Sequence, residues 1–378
     1  MKLLLLSCST GEGHNHCAYA VQEAAQARGH QADFLDLLRM FGEPSALSFE
    51  KILNHISTKT PSLFGMMYFA GEKYSATGVT SPVYLANIRH ARQLKAYILE
   101  HGYDAVVCSH LFPMETLTYL RRHEQFNVLT YGVLSDYTCI PFLPETELDG
   151  YFLPHAELEK PCVLAGVPAG KLYASGMPVS ARFLTPQPKA EARARLGLPQ
   201  EKKLYLVMTG GIGCGDAVSL CETILRIPDE RMLVVVLTGR NAELAAALER
   251  LAPAVLSVPF TNEVAAYMRA ADVLLSKAGG ISSSEAAVLG VPLVHTMVIP
   301  GVETKNAKFF AEHGMSYFAQ STQEAARFAD RLVFDPVAAQ GMLSAQATCL
   351  PHDGAARIVE QIERRVAGSG KQTLPQGQ

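Results

Sequence analysis

The stretch MKLLLLSCSTGEGHNHCAYAV, residues 1–21, decides the fold. Leu3 to Leu6 form its unbroken apolar run, and Gly11, Glu12, Gly13, His14 and Asn15 follow almost at once. A secretory signal needs roughly 7–15 apolar residues before a small-residue cleavage site, so the composition speaks against one. A short apolar run closed by a glycine-rich turn is the pattern of a buried strand. Beyond the turn, Ala18, Val21, Ala24 and Ala25 recur at helical spacing. The reading is a strand at Met1–Leu6, a loop at Ser7–Gly13 and a helix with His14 at its start.

The same unit repeats along the chain. Candidate strands in the first half are Lys2–Leu6, Ala32–Leu37, Ala105–Ser109, Val128–Val133 and Gly150–Leu153, with helical patterns between most of them. A turn-rich segment with Pro178, Pro186 and Pro188 follows, where a linker is expected. A second series comes after it: KKLYLVMTGG, RMLVVVLTG, AVLSVPF, DVLLSKAGG, VPLVHTMV and MSYFAQ. Alternation of this kind implies parallel sheets covered on both faces. The expected fold class is α/β, with two doubly wound Rossmann-like domains at residues 1–177 and 178–367. The last helix is free to pack back on the first domain, and the polar residues 368–378 are expected to be disordered. Ligands of such sheets sit at the carboxyl ends of strands, and in a two-domain version in the cleft between the domains.

Length and composition agree with this. A chain of 378 residues exceeds the usual domain size, so two domains are the default. A hydrophobic content of 48% with 18% charged residues is that of a well-cored globular protein. A net charge of −3, with no long basic run, leaves no nucleic-acid footprint. The 8 cysteines form no CxxC pair and read as reduced cytosolic thiols, neither disulfides nor a zinc site. No segment approaches the roughly 18–20 apolar residues of a membrane span. The expected location is cytoplasmic, with peripheral contact to the inner face of the membrane.

Three glycine-rich turns fall just after strands and before helices: STGEGHN, MTGGIGCGD (208–216) and KAGGISSSEA (277–286). Glycine there lets backbone approach a ligand, and the next helix start offers free N–H groups to an anion. Two such loops in one domain point to a nucleotide diphosphate. No Gly-Lys-Ser/Thr follows, so neither is a P-loop.

The stretch KAGGISSSEAAVLGVPLVHTMVIPGVETKNAKFF resembles the donor-binding signature of glycosyltransferase family 28, which includes the monogalactosyl- and glucosyl-diacylglycerol synthases and, more distantly, the MurG-type enzymes. Gly279, Gly280, Ser284, Glu285, Ala286, Gly290, Pro292, Pro300, Gly301, Glu303 and Asn306 match its pattern, and Val302 stands where the pattern has Gln. STGEGHNHCAYAV, VLSDYT and VPFTNEVAAYMRAADVLLSKAGG resemble further blocks of the family, so the likeness spans nearly the whole chain. It implies a GT-B fold and inverting transfer of a hexose from a UDP-sugar to a lipid hydroxyl, most simply that of diacylglycerol.

The resemblance also implies roles. Glu285 would accept hydrogen bonds from the ribose hydroxyls, for which an acceptor-only carboxylate is suited. Gly279, Gly280 and Ser282 to Ser284 would hold the diphosphate, with Gly210 and Gly211 also on the donor side, although the serines also suit a helix cap. Phe260 and Thr261 would flank the uracil, or Phe260 would belong to the core. Glu303 and Asn306 would reach sugar hydroxyls, or serve as plain first-turn residues. His14 would take the acceptor's proton, with His16 the weaker alternative, and Asp136 would orient His14 or the acceptor. Helix dipoles would meet the leaving-group charge without a metal. Leu63, Phe64, Met67 and Phe69 form an apolar patch that either grips acyl chains at a bilayer or is buried in the first domain. After Asp136 the lipid synthases carry a His-x-x-Trp that this chain lacks, having no tryptophan. That keeps a polyprenyl-linked or small-molecule acceptor open, as well as a nucleotide-sugar sensor without turnover.

Overall fold

The computed structural model describes residues 1–8, 12–40, 60–210, 216–226 and 230–369. The chain divides into two compact units. Of the described residues, those up to 40, those from 68 to 181 and those from 352 onward make the first, and 60–67 with 182–351 make the second. Gly370 to Gln378, the bulk of the expected tail, lie outside the described residues.

The first unit is built on a parallel sheet of six strands: β1 (Lys2–Ser7), β2 (Gln31–Asp36), β3 (Ala105–Cys108), β4 (Leu129–Val133), β5 (Gly150–Leu153) and β6 (Leu172–Ala174). Their spatial order is β2-β1-β3-β4-β5-β6. Leu3 to Leu6 are fully buried, as a central strand covered on both faces requires. The helix Glu12–Ala27 buries Cys17, Ala18, Val21 and Ala25. Its acidic Glu12 lies in the first turn, where the helix dipole favours negative charge.

Ser180 Oγ donates to Glu23 Oε2 at 2.7 Å, which draws residues 178–181 into the first unit. The last helix, Gly354–Ser369, returns there as well, with Ile358, Val359 and Ile362 fully buried. Its first residue has to be glycine, because a Cβ would collide with the Met177 carbonyl. Arg28 Nη2 donates to Glu363 Oε2 at 2.7 Å, and His30 Nε2 lies 2.6 Å from Glu363 Oε1.

The second unit repeats the plan with β7 (Lys203–Met208), β8 (Met232–Gly239), β9 (Val255–Pro259), β10 (Val273–Ser276), β11 (Leu293–His295) and β12 (Tyr317–Phe318), in the order β12-β11-β10-β7-β8-β9. All pairings are parallel here too. No disulfide occurs among the described residues, and none of their helices is long and apolar enough to cross a membrane.

Each sheet has one place where the chain winds outward in both directions from its first strand. In the first it lies between β1 and β3, whose ends are level, Leu6 pairing with Cys108. In the second it lies between β7 and β10, where Met208 pairs with Ser276. Loops leaving such strand pairs diverge and open a crevice at the carboxyl edge.

Candidate active site

At the first crevice, His14 occupies the first turn of the helix Glu12–Ala27. Its Nδ1 is 2.9 Å from the Ser109 carbonyl, just past β3, and 3.1 Å from Ser135 Oγ, just past β4. A carbonyl can only accept, so Nδ1 carries the proton and Nε2 keeps its lone pair. Ser135 Oγ in turn donates to Asp136 Oδ2 at 3.4 Å. Burial pushes the His14 pKa below 6.5, while the Asp136 charge and the Ser109 carbonyl oppose that shift. The imidazole is therefore neutral near pH 7, with a carboxylate placed to stabilise the cation formed when it takes a proton. Ser9, Thr10 and Gly11 of the preceding loop lie outside the described residues.

Three members of this cluster escape sequence inspection: Ser109, His110 and Ser135. The His110 ring stands edge-on to His14 with centroids 4.6 Å apart. Its Nδ1 accepts the Phe112 N–H at 3.2 Å, capping the helix Leu111–His123 and placing its own proton on Nε2. Burial and the charge of His14 hold its pKa well below 6.5. Only the CSHLFP context after a strand offers a signal for it.

At the second crevice, the helix Gly280–Leu289 follows β10 directly, with Gly279 as N-cap and no side chain capping it. Its first N–H groups thus point to the strand ends unsatisfied by any cap. Gly279 has φ −70°, open to any residue, and a Cβ there would meet nothing within 4 Å. Neither strain nor crowding by the described residues demands glycine at this position, so the room it leaves among them suits close approach of a ligand.

Glu285, one turn further, is 4% exposed, and its carboxylate takes no hydrogen bond among the described residues. Burial pushes its pKa up to about 8, with Arg182 partly offsetting the rise. Ser282 is half-buried with its hydroxyl open. Ser284 is buried instead, and its Oγ donates back to the Gly280 carbonyl at 2.7 Å. Ser283 Oγ donates to the Gly279 carbonyl at 2.8 Å and so accepts from His295 Nε2 at 2.9 Å. Ser316 Oγ then donates to His295 Nδ1 at 3.0 Å, and this buried chain ties the helix to β11.

The residues expected at the sugar, Glu303 and Asn306, make contacts within the protein. Asn306 is fully buried, and its Nδ2 donates to the Ala278 carbonyl at 3.0 Å. It props the loop before Gly279 from behind. Glu303 Oε1 accepts from Lys277 Nζ at 2.5 Å, and its Oε2 accepts from the Ile299 N–H at 3.0 Å. Gly210 has φ +78°, the left-handed region that favours glycine, and the Lys277 stem passes it, with Cε 2.6 Å from where a Cβ would stand. Gly211 lies outside the described residues.

Phe260 is 50% exposed just past β9, which removes the core reading. The Arg240 guanidinium lies 4.3 Å from its ring centroid. Thr261 Oγ1 accepts the Glu263 N–H at 3.1 Å. On the helix Pro61–Ser75, Leu63, Met66, Met67 and Phe69 are exposed, so these side chains are not part of a buried core. The Phe64 side chain lies outside the described ones. Among the described residues no group of three His, Cys, Asp or Glu side chains is arranged to hold a metal ion.

Two doubly wound units with loaded crevices are the architecture of a GT-B glycosyltransferase. Acinetobacter baumannii MurG shares the fold at a TM-score of 0.62, with 16% identity over 96% of this chain and 99% of that one. Anabaena HepE, solved in complex with UDP, shares it at 0.56, with 16% identity over 99% and 100% of the two chains. Residues 14–179 match the family described as Monogalactosyldiacylglycerol (MGDG) synthase, and residues 206–332 match the Glycosyltransferase family 28 C-terminal domain. The chain belongs to glycosyltransferase family 28, with an N-terminal half of the monogalactosyldiacylglycerol synthase type. A Bacillus cytotoxicus relative, the processive diacylglycerol beta-glucosyltransferase, is 26% identical over 369 residues, covering 96% of this chain and 93% of its own.

Proposed function

We propose that this enzyme transfers a hexose, with inversion, from a UDP-sugar to the hydroxyl of diacylglycerol. The observation that carries the reading is Glu285, a buried carboxylate without a hydrogen bond among the described residues, one turn beyond a helix start that has no side-chain cap among them. A uridine diphosphate satisfies both at once. Ribose hydroxyls donate to the carboxylate, and the diphosphate meets the free N–H groups.

The acceptor hydroxyl gives its proton to His14 Nε2 as its oxygen attacks the anomeric carbon. The bond from that carbon to the β-phosphate oxygen breaks, its electron pair stays on UDP, and Asp136 stabilises the imidazolium through the Ser135 bridge. Helix N–H groups meet the developing charge, so the reaction proceeds without a metal. The diacylglycerol acceptor rests on the named relative and on the N-terminal family match. The exposed apolar side chains of the helix Pro61–Ser75 suit peripheral contact with a lipid surface.

A second reading, a different lipid or small-molecule acceptor, is favoured by one feature. The stretch YTCIPF after Asp136 has no His-x-x-Trp. Radiolabelled UDP-glucose and UDP-galactose, incubated with the protein and diacylglycerol micelles, test both. Label in the lipid supports the proposal. Turnover only with another acceptor supports the second reading, and UDP binding without turnover would make the protein a sensor.

A further inference from the structure

We infer that Lys277 is a catalytic residue that exchanges its ion-pair partner, leaving Glu303 for the diphosphate of the bound donor. The inference rests on the UDP-sugar reading and deepens it. Lys277 directly follows β10, and its stem crosses Gly210 at the end of β7, so it spans the crevice where the two loops part. Two residues on stands Gly279, a helix start without a side-chain cap, where a Cβ would meet none of the described residues within 4 Å. The Lys277 side chain is 25% exposed and its partner Glu303 only 8%. The ammonium is therefore the outward member of the pair, and the carboxylate is the anchored one, fixed through Oε2 to the Ile299 N–H.

An ammonium is a mobile point charge with three donors, and it can turn on its stem from one anion to another. A diphosphate at the helix start carries more charge than a single carboxylate and draws the ammonium to it. When the bond between the anomeric carbon and the β-phosphate oxygen breaks, the electron pair left on that oxygen gains the lysine as counter-charge. Glu303 Oε1, released from Nζ, becomes an acceptor for a hexose hydroxyl. A lysine that only positioned Glu303 would do none of this.

Calorimetry of UDP and of uridine against wild type, Lys277→Met, Glu303→Gln and the double variant separates the cases. Loss of a charge-assisted contact predicts that Lys277→Met weakens UDP roughly 10- to 100-fold and leaves uridine unchanged. The double variant should show the same UDP loss, and Glu303→Gln alone should bind UDP more tightly, because no pair has to be broken. If the double variant regains wild-type UDP affinity, or if Lys277→Met weakens uridine as much as UDP, the lysine is structural and the inference falls. Wild-type protein that binds UDP no better than uridine would instead overturn the diphosphate reading itself. Melting curves on all four proteins report folding.

Discussion

At the scale of the residue, two groups are held in the less hydrated of their protonation states, and each makes a measurable claim. His14 has its pKa depressed by burial and partly restored by Asp136 and the Ser109 carbonyl. Its active form is neutral, so turnover should be flat through pH 7 and fall only on acidification below about 6.5. His14→Ala should lower turnover by roughly 10²–10⁴ with UDP affinity nearly unchanged. Asp136→Asn removes a contribution that raises the pKa, so the acid limb of the pH–rate profile should move to lower pH as the plateau rate drops. An acid limb that stays in place would detach Asp136 from the base. Glu285 runs the other way, its carboxyl raised to about 8 by burial. Because the folded state holds that proton above the ordinary value of 4.5, stability from this site declines as pH rises from 4.5 to 8. Glu285→Gln should therefore flatten the melting temperature over that window. It should also cost about 1.5–3 kcal/mol of UDP binding. Ribose hydroxyls favour the ionised form, so wild-type UDP affinity should rise with pH towards 8 and that of the glutamine variant should not.

At the scale of the element, the strand runs were legible because parallel strands buried on both faces read as continuous apolar segments. β5 matches its expected bounds and β1 runs one residue further, to Ser7. β6, Leu172–Ala174, was not read from the sequence, since three residues at a sheet edge carry no periodicity. The glycine loops were legible as strand-to-helix turns, but the hydrogen bonds that decide side-chain roles were not. Asn306 and Ser284 look like ligand groups in the motif, yet Asn306 Nδ2 donates to the Ala278 carbonyl and Ser284 Oγ to that of Gly280. Ser109, His110 and Ser135 matter because β3 ends beside β1 and β4 beside β3, a non-local fact. The return of the helix Gly354–Ser369 belongs to this scale too. Hydrogen bonds from Arg28 and His30 push the Glu363 carboxyl down to about 2. A depressed carboxyl contributes stability that is complete above 4.5 and is lost as pH falls towards 2. Glu363→Gln should thus lower stability slightly at pH 7, by no more than about 1 kcal/mol for a pair this near solvent, read as a small drop in melting point. The difference from wild type should shrink as pH falls towards 2 and vanish below it.

At the scale of the whole molecule, the chain has used one topology twice and loaded the two crevices with opposite chemistry. The first holds a neutral base with a carboxylate behind it, and the second holds helix N–H groups, a lysine and a buried carboxylate. A lipid acceptor adds a requirement that neither crevice meets alone, because its acyl chains cannot be left in water at a cost of about 0.8 kcal/mol per CH₂. The exposed side chains Leu63, Met66, Met67 and Phe69 supply an apolar surface of the needed kind on one helix. The overall charge of −3 gives no general attraction to anionic lipid. Binding to vesicles should therefore depend on these side chains and little on salt. Met66→Ser with Met67→Ser should reduce sedimentation with diacylglycerol-containing vesicles several-fold, since each exposed methionine forfeits up to roughly 1.5–3 kcal/mol of burial at the interface. The same variant should keep its UDP affinity, and it should recover turnover when diacylglycerol is presented in detergent micelles at high concentration. Full vesicle binding by the double serine variant, or binding that collapses as salt rises, would mean that another surface meets the membrane.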